Sequence, residues 1–287
     1  MSISFKSILI PVDFSINTEV AIKKGLVLGE RGTVIHLLHV HNYLSSGLPT
    51  RSLKYFVQKN SGLYNKEAED KLMEWKDRIE EENKNIEVIA RIRFEGSIQK
   101  TIEETAKKLY PDLIIIGKNS HHSWFPFLNT VIPNKIVHHT GIAVLTVKPG
   151  AVDNDIKTVL VPISTDASRD KRKAISAFCR KFRVKIYLVT FHNKGNAPSR
   201  FHSSSLLQMY QWLKTSTNCP VEYAVLHGNN KAKAILNYAE KIKADILLVH
   251  PETETKIGWP NKHISDVLPT ASKVQVLTIQ ANTLVNH

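Results

Sequence analysis

The sequence is poor in cysteine: only Cys179 and Cys219 occur among 287 residues. So few thiols exclude a disulfide framework and fit a cytosolic location best. No apolar run approaches the ~20 residues that a membrane helix needs. The ILIPV stretch after Lys6 is too short for a secretory signal and lacks a small-residue cleavage site. Marks of common catalysis are missing as well: there is no G-x-S-x-G elbow, no GxxxxGK(S/T) loop, no HExxH and no Cys–His context for a nucleophile. No positioned base or metal can be named, so the expectation is a protein that is not an enzyme.

Acidic residues are also scarce, 26 against 39 Lys and Arg. The excess is 4 in residues 1–150 (20 against 16) and 9 in residues 151–287 (19 against 10). Much of it lies in Arg169, Lys171, Arg172, Lys173, Arg180, Lys181, Arg183 and Lys185. Such a patch can attract nucleic acid or an acidic partner. No nucleic-acid motif accompanies it, and the favoured reading is the solvated face of a helix whose inner stripe is Ala174, Ile175, Phe178 and Phe182.

What is present is a repeat. Sliding the chain by 151 positions lays KSILIPVDFSINTEVAIKKGLVLGERGTVIHLLHVHN, from Lys6, on KTVLVPISTDASRDKRKAISAFCRKFRVKIYLVTFHN, from Lys157. Pro11 falls on Pro162, Leu37 on Leu188, His41 on His192 and Asn42 on Asn193 without a gap. Later, PDLIIIG from Pro111 matches ADILLVH from Ala244, and IAVLTV from Ile142 matches VQVLTI from Val274. Pro149, Gly150 and Asp153 mark a short linker, so the expected domains are 1–150 and 151–287.

In the first copy, apolar runs predict strands near 7–12, 33–40, 86–94, 113–117 and 142–147. Helical patterns fall near 18–30, 65–84, 97–109 and 132–139, with Ser97 as the cap of the third. Continuous runs such as LIIIG indicate strands covered on both faces. The fold class is therefore α/β, two doubly wound domains, each a five-stranded parallel sheet flanked by helices. The stretch from Asn42 to Tyr64, with Gly47, Pro49 and a short helix from Arg51 to Gln58, reads either as a flap beside the cleft or as a surface insertion.

ILIPVDFS, LLHV, EGSIQKTIEETAKKLYPDLIIIGK and KIVHHTGIAVLTVKP, in this order and spacing, resemble the universal stress protein family over both halves. The resemblance implies an adenine nucleotide alpha hydrolase-like fold, a cytoplasmic stress-response role and dimer-like pairing of the two domains. Their last strands, 142–147 and 274–279, would then meet side by side; a homodimer is a further assembly it allows. Some members bind ATP through an aspartate after the first strand and a GxxG-x9-G(S/T) loop after the fourth. Such a site suits the carboxyl ends of strands, where glycines and helix-terminal amides admit phosphate.

On this sequence Asp13 takes the aspartate position, Val40 ends the second strand beside the base, and Gly117 is the first glycine. Ser120 and Thr130 replace the other two, Val131 stands at the Ser/Thr position and Pro133 replaces a further hydroxyl. Each has another reading: Asp13 as a turn cap, Gly117 as a turn glycine, Ser120 and Thr130 as hydroxyl donors with obstructive Cβ atoms. Lys118 is expected as a mobile positive charge that partly offsets the losses. In the second copy Ser164 replaces the aspartate, His250-Pro251 the glycine and its neighbour, and His263 falls at the Thr130 equivalent.

The expectation is weak ATP binding confined to the N-terminal domain, with no metal beyond nucleotide-associated Mg. His39 and His41, His121 and His122, and His138 and His139 have spacings that suit chelation. No carboxylate or cysteine cluster completes a site, and structural or surface histidine is the expected role. The alternatives are a protein–protein or small-ligand module that has lost ATP, and a slow nucleotide hydrolase.

Overall fold

A computed structural model describes residues 5–40, 50–93, 97–118, 131–153, 155–163, 169–192, 200–228, 230–251, 256–257 and 262–280. The first half runs β1 (Ser7–Val12), α1 (Ile16–Leu28), β2 (Thr33–Val40), α2 (Thr50–Glu82), β3 (Ile86–Arg93), α3 (Ile98–Leu109), β4 (Leu113–Gly117), α4 (Pro133–Thr140) and β5 (Val144–Val147). A 3-10 turn at Pro149–Ala151 leads into the second half. That half runs β6 (Thr158–Pro162), α5 (Arg169–Lys181), β7 (Lys185–His192), α6 (Arg200–Ser216), β8 (Val221–His227), α7 (Lys231–Lys241) and β9 (Ile246–Val249). Two short strands, β10 (Lys256–Ile257) and β11 (Lys262–His263), precede α8 (Ile264–Val267) and β12 (Gln275–Thr278).

Ten strands form one sheet in the order β3-β2-β1-β4-β5-β12-β9-β6-β7-β8. Within each half the neighbouring strands of this sheet run parallel. The two halves join through the antiparallel pair β5 with β12, where Leu145 lies opposite Leu277, and β10 and β11 form a separate antiparallel pair. Alternate residues explain the two apolar faces. Ile8, Ile10, Ile35, Leu37 and Ile115 meet α1 and α2, in a core continuous with Val159, Ile186, Ile175 and Phe178 of the second half. Leu9, Leu38, Ile114 and Ile116 meet α3 and α4 on the other face, and Leu160, Leu247 and Val276 meet α7 and α8.

The two halves share their devices at the amino ends of the strands. Asp112 Oδ2 accepts the amides of Lys6 and Ser7, each at 2.9 Å. Asp245 Oδ2 does the same for Lys157 and Thr158, each at 2.8 Å. Just before each aspartate the chain turns through a left-handed residue, Tyr110 (φ 46°) and Lys243 (φ 52°).

Several expectations change. α2 is one helix of 33 residues from Thr50, not a short helix followed by a second; a single Gly62 in its interior costs only ~1 kcal/mol. Residues 42–49 of the expected flap lie outside the described residues. Ser97 takes the cap position of α3 but its side chain makes no capping bond. The basic stretch is not all solvated face: Lys171 is fully buried and donates to the Pro162 carbonyl. Lys181 donates to the carbonyls of Leu28 (2.7 Å) and Gly29 at the end of α1. Ala174, Ile175 and Phe178 are buried as the helical period requires. Cys179 of α5 and Cys219, before β8, are joined by a disulfide with Cα atoms 6.1 Å apart. Two cysteines are too few to suggest a framework, and 40 residues of separation conceal a contact that only the fold creates.

Candidate functional site

The carboxyl end of β1 is built around Asp13. Its Oδ1 accepts from the Ser15 amide (3.1 Å), the Ser15 hydroxyl (2.5 Å) and the Thr18 hydroxyl (2.6 Å). Thr18 Oγ1 in turn accepts the Asp13 amide at 3.1 Å. This reciprocal loop holds Phe14 at φ 56° and starts α1 without a side-chain cap from Ser15. Both readings of Asp13 meet here, because only Oδ1 is spent on the turn. Oδ2 is buried and has no partner among the described residues, a costly arrangement for an acceptor unless a ligand or water supplies a donor.

Beside it, Phe14 stacks at 4.7 Å on His39 and meets Trp75 edge-on at 5.5 Å. Lys71 Nζ lies 5.1 Å from the Phe14 ring centre. His39 Nδ1 pairs with the Val12 carbonyl at 2.8 Å, which gives this histidine a structural task at the strand end. Val40 is buried on the opposite face, among Leu9, Leu38 and Ile98. Gly117 ends β4 where α1 begins: a Cβ there would sit 1.9 Å from the Asn17 carbonyl oxygen. The glycine is demanded by close helix approach, a reason that neither sequence reading contained.

Beyond Gly117 the chain meets the second half. Ser120 and Thr130 lie outside the described residues. Val131 is fully buried with its side chain in the core against α4, and its carbonyl accepts Lys118 Nζ at 3.0 Å. Pro133 opens α4 at its first position, as its fixed φ favours. Lys118 is not a mobile charge: it is buried and ion-paired at 2.6 Å with Asp266 Oδ1, 148 residues away. Burial raises the Asp266 carboxyl, but the Lys118 ammonium, its bond and the His263 amide outweigh this and hold it below the usual range. Asn134 Nδ2, at the start of α4, is 3.2 Å from the Pro251 carbonyl and 2.7 Å from His263 Nδ1. Lys148 lies fully buried beside this group. Burial and then the Lys118 charge lower its ammonium to about 8, against a smaller pull from Asp266.

Asp266, Asn134 and His263 were not singled out as partners from sequence, since nothing local marks a contact across so long an interval. In the second half Ser164 lies outside the described residues, while His250 and Pro251 are buried. Among the described residues no group of three or more His, Cys, Asp or Glu is placed to hold a metal. No helix among them is long and apolar enough to cross a membrane. A cavity of about 390 Å3 lined by Phe5, Asp112, Ile142 and Ala143 opens at the amino ends of the strands, away from Asp13.

The universal stress protein family model matches residues 4–148, just over half of the chain. The chain belongs to this family. A universal stress protein from Archaeoglobus fulgidus shares the fold with a TM-score of 0.66, at 16% identity and 97% coverage of both chains. A putative universal stress protein from Pseudomonas aeruginosa gives 0.55 at 14% identity, covering 96% of this chain and 94% of its own. No curated protein matches the sequence. These likenesses cover both halves, so the ten-stranded sheet is that of a universal stress protein with two α/β units. Against the nucleotide site that the motif implies, the base side fits: an unsatisfied buried carboxylate oxygen waits at the end of β1. The phosphate side fits poorly, because the cation and the start of α4 are engaged by the second half.

Proposed function

We propose that this universal stress protein is a non-catalytic, cytoplasmic stress-response binding protein. It takes an adenine nucleotide weakly in residues 1–150, while residues 151–287 serve as its structural partner in an intramolecular pseudo-dimer. The observation that supports this most is the buried, partnerless Oδ2 of Asp13 at a strand end, where open α/β sheets bind ligands. An adenine or ribose donor would complete that oxygen. Val40 would border the base and Gly117, Ser120, Thr130 and Val131 the phosphates, with any Mg carried by the nucleotide. Each charge-assisted bond lost from the cradle is worth ~1.5–3 kcal/mol, enough to move a micromolar site towards millimolar.

A second reading is favoured by the Lys118–Asp266 pair. By neutralising the cation nearest the phosphate turn, it suits an interaction module that has dispensed with ATP. Calorimetric titration with ATP separates the two. Binding between about 0.05 and 5 mM that is lost in Asp13→Ala supports the nucleotide reading. No heat at 10 mM ATP (a roughly twofold margin) favours the interaction module, and metal-dependent ADP release would favour a slow hydrolase.

A further inference from the structure

Away from the strand ends, the disulfide carries a second site. Cys179 and Cys219 are both only half-buried. Cys179 lines a surface cavity of about 480 Å3 together with Arg180, Lys214, Ser176, Thr215 and Ser216. Among the described residues that line the cavity none is acidic. Lys214 also lies over the Tyr210 ring at 5.6 Å, and Arg172, earlier on α5, lies over the Trp212 ring of α6 at 5.4 Å. Cations beside a cysteine favour its thiolate, the species that attacks and that leaves in exchange. A pocket of hydroxyls flanked by Arg and Lys also suits carboxylates. A disulfide reachable by solvent, in a protein with no other cysteines, is the labile kind.

We propose that Cys179–Cys219 is a thiol–disulfide exchange site and that the adjoining basic cavity selects a small thiol bearing carboxylates. A thiolate RS⁻ attacks Sγ of Cys179, the atom on the cavity side; the Cys179–Cys219 bond breaks and Cys219 leaves as a thiolate, protonated from water. A second RS⁻ attacks the sulfur of R in the mixed disulfide and releases Cys179. The sum is protein disulfide plus two RSH giving protein dithiol plus RSSR, so the protein gains two electrons and two protons that the small thiol loses. The reverse reaction closes the bond. In the reducing cytosol such a pair reports an oxidising shift, where a structural disulfide would be out of place. The proposal does not rest on nucleotide binding.

The test uses the full chain and two probes, glutathione, which is anionic, and cysteamine, which is cationic. Thiol trapping and mass measurement follow reduction, and each rate is divided by that for a small neutral disulfide. The expected preference for glutathione is roughly tenfold, falling towards parity in 0.5 M salt (a Debye length of about 4 Å) and in Arg180→Ala/Lys214→Ala. Salt dependence of the wild type keeps the test valid if that variant folds poorly. Cys219→Ser treated with glutathione disulfide should accumulate one adduct, on Cys179. Equal normalised rates for the two probes, a preference untouched by salt, or two thiols that stay unpaired in excess glutathione disulfide would each overturn the proposal.

Discussion

At the amino ends of their strands the two halves are built alike. Asp112 and Asp245 pin the same pair of amides, and Tyr110 and Lys243 turn the chain in the same left-handed way before them. At the carboxyl ends they differ. Gly117 admits α1 closely, where the repeat has His250; Lys118 is drawn across to Asp266, where the repeat has Pro251. The difference separates two kinds of demand. Pinning a parallel sheet needs the same groups in any copy, whereas the carboxyl ends hold whatever a ligand or the other half requires.

Exchanging residues between the halves tests that division. The largest effect is expected from Gly117→His, which gives the first half the second half's residue. With the Asn17 carbonyl 1.9 Å from any Cβ, α1 must move, and a loss of at least ~3 kcal/mol is expected. Denaturant unfolding measures it; a change under ~1 kcal/mol would mean that α1 is loosely seated.

The amino-end pins come next. Asp245 is buried and Asp112 exposed, so Asp245→Ala should cost roughly 2–3 kcal/mol and Asp112→Ala about 1. Comparison of the two thermal midpoints checks this, and equal losses would show that the pins are worth the same regardless of burial.

An effect seen only at alkaline pH, and absent at neutrality, concerns Lys148, whose repeat position holds Gln280, exposed and neutral. Folded Lys148 releases its proton near 8, whereas the unfolded chain holds it to about 10.5. Between these values the unfolded state binds more protons, so stability rises with pH, by about 2 kcal/mol from pH 8 to 10 for this group. Lys148→Gln should flatten that rise in pH-dependent denaturant curves while leaving the slope below pH 7 unchanged.

Much of the fold was legible because period and repeat are local signals. LIIIG and ILIPV suggest strands covered on both faces, and β1, β2 and β4 begin and end where expected from the apolar runs. α2 was read too short, since Gly62 and the polar stretch around it suggest a break that helix continuation overrides. The turn role of Asp13 and the place of Pro133 at the start of α4 were readable from position. The meaning of Gly117 was not, because its neighbour is the Asn17 carbonyl of another element. Lys118 was misjudged for the same reason: its partner lies 148 residues on. The disulfide was missed because two cysteines 40 residues apart carry no sign of adjacency.

The antiparallel joint has a consequence for how the chain is made. β12 occupies the place between β5 and β9, so the edge of β5 stays open until Gln275–Thr278 has been synthesised. At 5–20 residues per second that interval is on the order of ten seconds, during which the unpaired edge of β5 is a template for another strand. β9 waits open alongside it for a shorter time. The sheet is therefore completed from its middle, and a chain released before β12 is made leaves both β5 and β9 without the neighbour they share.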